Sequence, residues 1–370
     1  MTYTYDAALV GFLACLSVCV LLVATKRWHG HLTLDGTDGV QKFHTAPTPR
    51  IGGLGLLLGL GAAWYKLPPN GQVVGLLGPM LLAGLPAYAF GTAEDLTKRV
   101  GVRERLLATM ASGVLAWWIT DISITRINVW GLDALLVWVP LSVAFTAFAV
   151  GGVANAVNII DGFNGLASGT LIICYGAIGL IAHQAGDSDL AQLCLLLASV
   201  TAGFLLVNFP FGKIFLGDGG AYLMGFLLAW VAVLLLARNP TVSAWAPLLA
   251  CGYPLLEVMF SIWRKHCREG HHPGQPDKVH LHMLMFRRFT RLYARNFPSA
   301  LQNGLTSPTL WPFSLLCAAL AIVFHNNTLM LVASFLFVAL CYHISYVRLT
   351  QFKWLLSTKS SQTKNLSTHD

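Results

Sequence analysis

Residues 134–165 read ALLVWVPLSVAFTAFAVGGVANAVNIIDGFNG. The first two thirds are an apolar run of the length that crosses a bilayer. The last eleven residues, from Asn155 to Gly165, gather Asn155, Asn158, Asp161 and Asn164 at every third position. On a helix that spacing keeps the side chains near one face. Three amides and a carboxylate where a helix leaves lipid do little for stability, so the stretch reads as the floor of an active site.

The rest of the chain extends the same pattern. Of 370 residues, 55% are hydrophobic and 11% charged, against roughly a quarter charged in soluble proteins. The apolar residues fall in long blocks, which predicts an all-α polytopic membrane protein. About eleven spans are expected, near 6–25, 51–66, 73–91, 105–121, 134–155, 166–184, 190–208, 219–237, 243–263, 310–326 and 328–347. They imply one transmembrane catalytic domain over 1–350, with an inner loop at 264–309 and a polar, disordered cytoplasmic tail at 351–370. Ala7–Ala24 lacks a preceding basic segment and is followed by Lys26 and Arg27, so it reads as a retained first helix. The eight cysteines show no disulfide or zinc spacing.

Counting Lys and Arg in alternate loops puts 21 of the 24 on one side. By the positive-inside rule that side is cytoplasmic, with the N-terminus outside and the tail inside. The net charge of +8 is thereby concentrated on the inner face. It serves as a topology signal and suits anionic lipid or a phosphate-bearing substrate. No folded basic module is present for nucleic acid.

The other polar clusters lie on this face. Glu94-Asp95, followed by Lys98 and Arg99, is either an ion or proton site or a solvated helix end. Asp218, flanked by glycines and near Lys213, is a ligand-approach residue or an N-cap. His280 and His282 are spaced as phosphate contacts; zinc is the alternative, although further ligands are wanting. Glu257 is an acid inside a span and a functional suspect, with Arg264 as an alternative partner. Arg287, Arg291 and Arg295 mark an interfacial amphipathic helix or a solvated face.

Taken in order, Pro47 to Gly53, Glu94-Asp95, Asn155 to Gly165, Asn208 to Gly219 and Asp277 to His282 resemble the polyprenyl-phosphate N-acetylhexosamine-1-phosphate transferase family. Three positions depart from its pattern: Glu94 replaces an aspartate, Asn164 an aspartate and Met283 a histidine. The resemblance implies transfer of a sugar-1-phosphate from a UDP-N-acetylhexosamine to undecaprenyl or another polyprenyl phosphate, with UMP released. It implies Mg²⁺, or Mn²⁺ in its place, on Asp218 and Asp161. Asp95 would orient or deprotonate the lipid phosphate, assisted by Glu94. Asn155, Asn158 and Asn164 would bind nucleotide or sugar; His280, His282, Arg50 and Lys213 would lie at phosphate. The expected location is the bacterial inner membrane, with a homodimer as the protein partner to test. A transporter of sugar nucleotide or lipid-linked sugar, and a catalytically impaired homologue, are the competing readings.

Overall fold

The computed structural model describes residues 2–35, 47–267 and 279–351. Asp277, Lys278, His271, His272 and the tail beyond 351 lie outside the described residues. Helices α1 (Thr2–Ala24) and α2 (Lys26–Thr33) come first. A two-residue strand, β1 (Leu34–Asp35), then pairs antiparallel with β2 (Thr48–Pro49). Next come α3 (Gly52–Lys66), α4 (Gln72–Thr97), α5 (Val102–Thr120), α6 (Leu132–Leu136) and α7 (Val139–Ile160). Then follow α8 (Leu166–Gln184), α9 (Ser188–Asn208), α10 (Gly217–Arg238), α11 (Trp245–Ala250) and α12 (Gly252–His266). The chain continues through α13 (Leu281–Met285), a π-helical turn (Phe286–Thr290) and α14 (Arg291–Tyr293) to α15 (Ser299–Val323) and α16 (Thr328–Thr350).

Eight of the described helices, α1, α4, α7, α8, α9, α10, α15 and α16, are long and apolar enough to cross a membrane. The other three expected spans also fall on helix, each with a blemish. α3 has only 15 residues, and α5 opens with Arg103, Glu104 and Arg105. The ninth is broken at Cys251 into α11 and α12. The predicted amphipathic helix over 286–295 is instead the π turn and the three-residue α14.

α10 is the hub. It is apolar on every side and buried along most of its length, as expected of a helix surrounded by others. It packs on α3, α4, α7 and α8. Lipid tails give helices little hydrophobic reason to associate, so close approach by small residues does that work. A Cβ at Gly225 would lie 2.7 Å from the Ala154 Cα on α7, and one at Gly53 2.5 Å from the Gly220 nitrogen. Pro86 frees backbone groups within α4, and the buried Ser112 hydroxyl of α5 accepts the Ala87 N–H at 3.1 Å, a repair familiar in membrane helices.

The polar groups divide between two ends. At one, Arg238 grips Asp187 at 2.6 and 2.9 Å, and Arg126 donates to the carbonyls of Leu236 and Asn239. The opposite end collects the start of α3, the end of α4, the start of α5, the turn after α7 and the start of α10.

Candidate active site

Backbone pairing brings the first pieces together. The N–H groups of Gly52 and Gly53 donate to the carbonyls of Phe215 and Leu216 at 2.9 Å, and Phe215 N–H donates to Pro49 O at 2.8 Å. This sews Arg50 beside the first turn of α10. Asp95, from the last turns of α4, accepts the N–H of Asp218 at 3.0 Å and of Gly219 at 2.9 Å. Those are orphan donors of the α10 N-terminus, where a carboxylate is favoured by both hydrogen bonding and helix dipole. The cap of α10 is thus supplied by Asp95, a residue from another helix. Leu216 holds the N-cap position and Asp218 lies inside the first turn, so the N-cap alternative for Asp218 is set aside.

Freed from capping, Asp218 turns its buried carboxylate toward Arg50 and Arg105. Its two oxygens accept from Arg50 and Arg105 respectively, and Arg50 Nε also reaches Asp95 at 3.1 Å. Arg105 sits 6.0 Å from the centre of the Tyr222 ring, a cation–π placement, and Tyr222 in turn engages Asn158. Gly217 makes this approach possible: its φ is +76°, and a Cβ there would come 2.6 Å from both Asp95 Oδ2 and the Arg50 carbonyl.

Asp161 completes the acids. It lies in the turn after α7, and its carboxyl is pushed up to about 7 by desolvation, which Arg50 opposes and Asp218 and Asp95 reinforce. Burial works against the Arg50 charge, but Asp218, Asp95, Asp35 and Asp161 outweigh it and hold the guanidinium well above its ordinary range. Three carboxylates therefore face two guanidinium groups, leaving negative charge in excess. The donors are hard oxygens, which suit magnesium. Among the described residues no three acids, histidines or cysteines form a ready-made metal cage. Magnesium does not require one, since it is commonly held by one or two carboxylates together with substrate phosphates.

The neighbouring wall is formed by histidines. His280 and His282 stack at 5.2 Å between ring centres, and both turn Nδ1 toward Glu257. Gly162 abuts His282, with a Cβ there 3.3 Å from Nε2, and Phe163 meets the ring edge-on at 5.8 Å. Glu257 therefore joins the histidines, whereas Arg264 goes to Val279 O at 3.0 Å and the Tyr346 hydroxyl at 3.2 Å.

Several anticipated residues sit differently. Asn164 is buried, and its side chain donates to Pro210 O at 3.0 Å, while its N–H meets Asn303 and its carbonyl Ser307. It latches the turn to the 208–212 loop and α15. Glu94 Oε2 accepts the Val100 N–H at 2.8 Å and braces the turn after α4. Asn155 Nδ2 donates to Gly151 O within its own helix at 2.8 Å. Lys213 is exposed and has no ion pair among the described residues. Both Asp95 oxygens are engaged by donors, which suits a positioning role better than that of a base. Two residues of the cluster carry no mark in the sequence. In the sequence Arg105 is one of the 21 basic residues of the inner face, and Tyr222 lies inside an apolar span with nothing local to mark it.

A bundle of apolar helices with an acidic, arginine-braced cluster at one end defines a multi-pass membrane protein with a buried charged site at one face. The glycosyl transferase family 4 model matches residues 77–236, which hold Asp95, Arg105, Asp161 and Asp218. The decaprenyl-phosphate N-acetylglucosaminephosphotransferase of Mycobacterium tuberculosis (strain H37Rv) is 32% identical over 311 residues, 75% of either chain. The undecaprenyl-phosphate alpha-N-acetylglucosaminyl 1-phosphate transferase of Yersinia pestis is 27% identical over 67% of this chain and 68% of its own. Its counterpart from Escherichia coli K12 is 25% identical over 67% of either chain. The chain belongs to glycosyl transferase family 4, among the polyprenyl-phosphate N-acetylglucosamine-1-phosphate transferases.

Proposed function

We propose that the protein transfers N-acetylhexosamine-1-phosphate from a UDP-sugar to a polyprenyl phosphate, as the first step of a cell-envelope glycan. An oxygen of the lipid phosphate attacks the sugar-linked phosphorus of the donor. The bond from that phosphorus to the bridging oxygen breaks, UMP leaves with that oxygen, and the lipid gains a pyrophosphate-linked sugar. The observation that carries this reading is the Asp95–Arg50–Asp218–Arg105 cluster with Asp161 beside it. Two anionic phosphates can meet only where positive charge is held ready, and a cluster with carboxylates in excess would supply it by taking up a cation.

Asp161 and Asp218 would hold Mg²⁺, which when bound screens the phosphate charges. Arg50 and Arg105 orient Asp218 and present N–H groups to phosphate. Asp95 keeps Asp218 in place through the α10 backbone. Asn158 and Tyr222 form a polar edge suited to the sugar or nucleotide. In this reading the basic end, with the site, faces the cytoplasm from a bacterial inner membrane, on the side of the water-soluble donor. A transporter would carry its acids at mid-membrane; here they stand at helix ends.

Membranes supplied with undecaprenyl phosphate and a panel of UDP-sugars test this. The expected result is UMP together with a lipid heavier by one hexosamine phosphate. Counterflow of labelled sugar nucleotide with no lipid product would favour transport.

A further inference from the structure

Glu257 is 1% exposed, and every group around its carboxylate is a donor. His282 Nδ1 lies at 3.1 Å and His280 Nδ1 at 3.3 Å. The backbone N–H groups of Leu281 and His282 lie at 3.4 and 3.3 Å, and the Tyr253 hydroxyl at 3.4 Å. A carboxylate so surrounded is an acceptor only, so each Nδ1 must carry its hydrogen. A neutral ring then has a bare lone pair at Nε2. His282 is fully buried, and its Nε2 has no hydrogen-bond partner among the described residues. It faces the backbone of Gly162, one residue from Asp161. Burial also holds the His282 imidazole below its ordinary range, against the pull of Glu257. A buried acceptor left unmatched is costly, and one aimed at a substrate turn has a use.

We infer that Glu257 is the positioning residue of the donor site: it fixes His280 and His282 as Nδ1–H tautomers and turns the Nε2 lone pair of His282 toward the 161–165 turn, where it accepts a hydrogen bond from a hydroxyl or amide N–H of the sugar nucleotide. This rests on the transferase reading above. It replaces the expectation that His282 clamps pyrophosphate, because a bare lone pair repels phosphate oxygens.

The substitution Glu257→Gln keeps the shape but leaves one oxygen to accept. Its amide NH₂ must donate, so one imidazole has to surrender its Nδ1 hydrogen. Full-length protein carrying ¹⁵N-histidine, purified in detergent, reports the tautomers by NMR, with His282→Asn identifying the resonance. The expected wild-type pattern is protonated Nδ1 and bare Nε2 at His282, changed at one or both rings in Glu257→Gln. Kinetically, KM for the UDP-sugar should rise about fivefold to tenfold, the worth of one hydrogen bond. KM for polyprenyl phosphate should not move, and Glu257→Asp should recover most of the loss. A role confined to folding would lower the active fraction and shift neither KM. A bare Nδ1 at His282 in the wild type overturns the inference, as does an unchanged donor KM in Glu257→Gln. Failure of the wild type to release UMP would overturn the transferase reading instead, and the NMR pattern would still decide the tautomer.

Discussion

Replacing Asp95 by Asn isolates the joint that holds the site together. The Asp95 carboxylate receives two backbone N–H groups of α10 and the Arg50 Nε, at 2.9 to 3.1 Å. Asparagine keeps one acceptor and turns the other into a donor, so at least one of those N–H groups faces an NH₂. Hydrogen bonds to charged groups contribute about 1.5–3 kcal/mol each, and stranding a buried donor costs about 1–3 kcal/mol. Arg50 is partly exposed and keeps Asp218 as a partner, so Asp95→Asn should destabilise the protein by about 1–3 kcal/mol, the cost of the stranded donor. If half of that appears as misplacement of Asp218 in the transition state, turnover falls about twofold to tenfold. The assay pairs thermal unfolding in detergent with UMP release at saturating donor and acceptor. Wild-type stability with wild-type turnover would refute the claim that Asp95 holds the start of α10.

Asp218→Asn should abolish transfer while the protein still inserts in membranes and binds detergent normally; residual turnover above a few per cent would remove Asp218 from the centre. Gly217→Ala should lower both stability and turnover, since its Cβ would sit 2.6 Å from Asp95 Oδ2 at a φ of +76°; a thermal scan overlying the wild type would contradict this. Asp161 titrates near 7, and its proton competes with a cation, so Mg²⁺ binding should tighten roughly tenfold from pH 6 to pH 8. Calorimetry on Asp161→Asn should show that slope gone. Asn164→Asp would set a carboxylate against Pro210 O, which now accepts from Nδ2 at 3.0 Å; it should cost about 1–3 kcal/mol and give no gain in turnover. A gain would revive the view of Asn164 as an impairing departure.

Much of this was legible before the fold was in hand, because lipid imposes long apolar runs with their ends marked by charge. α7 and its polar exit illustrate it, with Asn158 and Asp161 leaving the span at the depth where the acids of α4 and α10 also stand. What was hidden depends on partners far along the chain. Nothing near Asp218 reveals that Asp95, 123 residues earlier, caps its helix. Arg105 looked like one more inner-face cation until α5 was laid against α10. Glu257 has a plausible partner at Arg264 two turns along the same helix face, and only the fold of the 279–285 segment shows that it faces the histidines. Asn164 looked like a weakened acid because its pattern was acidic, yet its donor is what Pro210 O requires. The break at Cys251 within the ninth predicted span carries no strong local signal, since Gly252 and Pro254 are both tolerated in membrane helices.

The most direct test is the nucleotide left after reaction of purified protein with UDP-N-acetylglucosamine, undecaprenyl phosphate and Mg²⁺. The account predicts UMP in equal amount to a pyrophosphate-linked lipid from the wild type, and neither from Asp218→Asn. UDP as the product, or UMP formed equally well without the lipid phosphate, would contradict it.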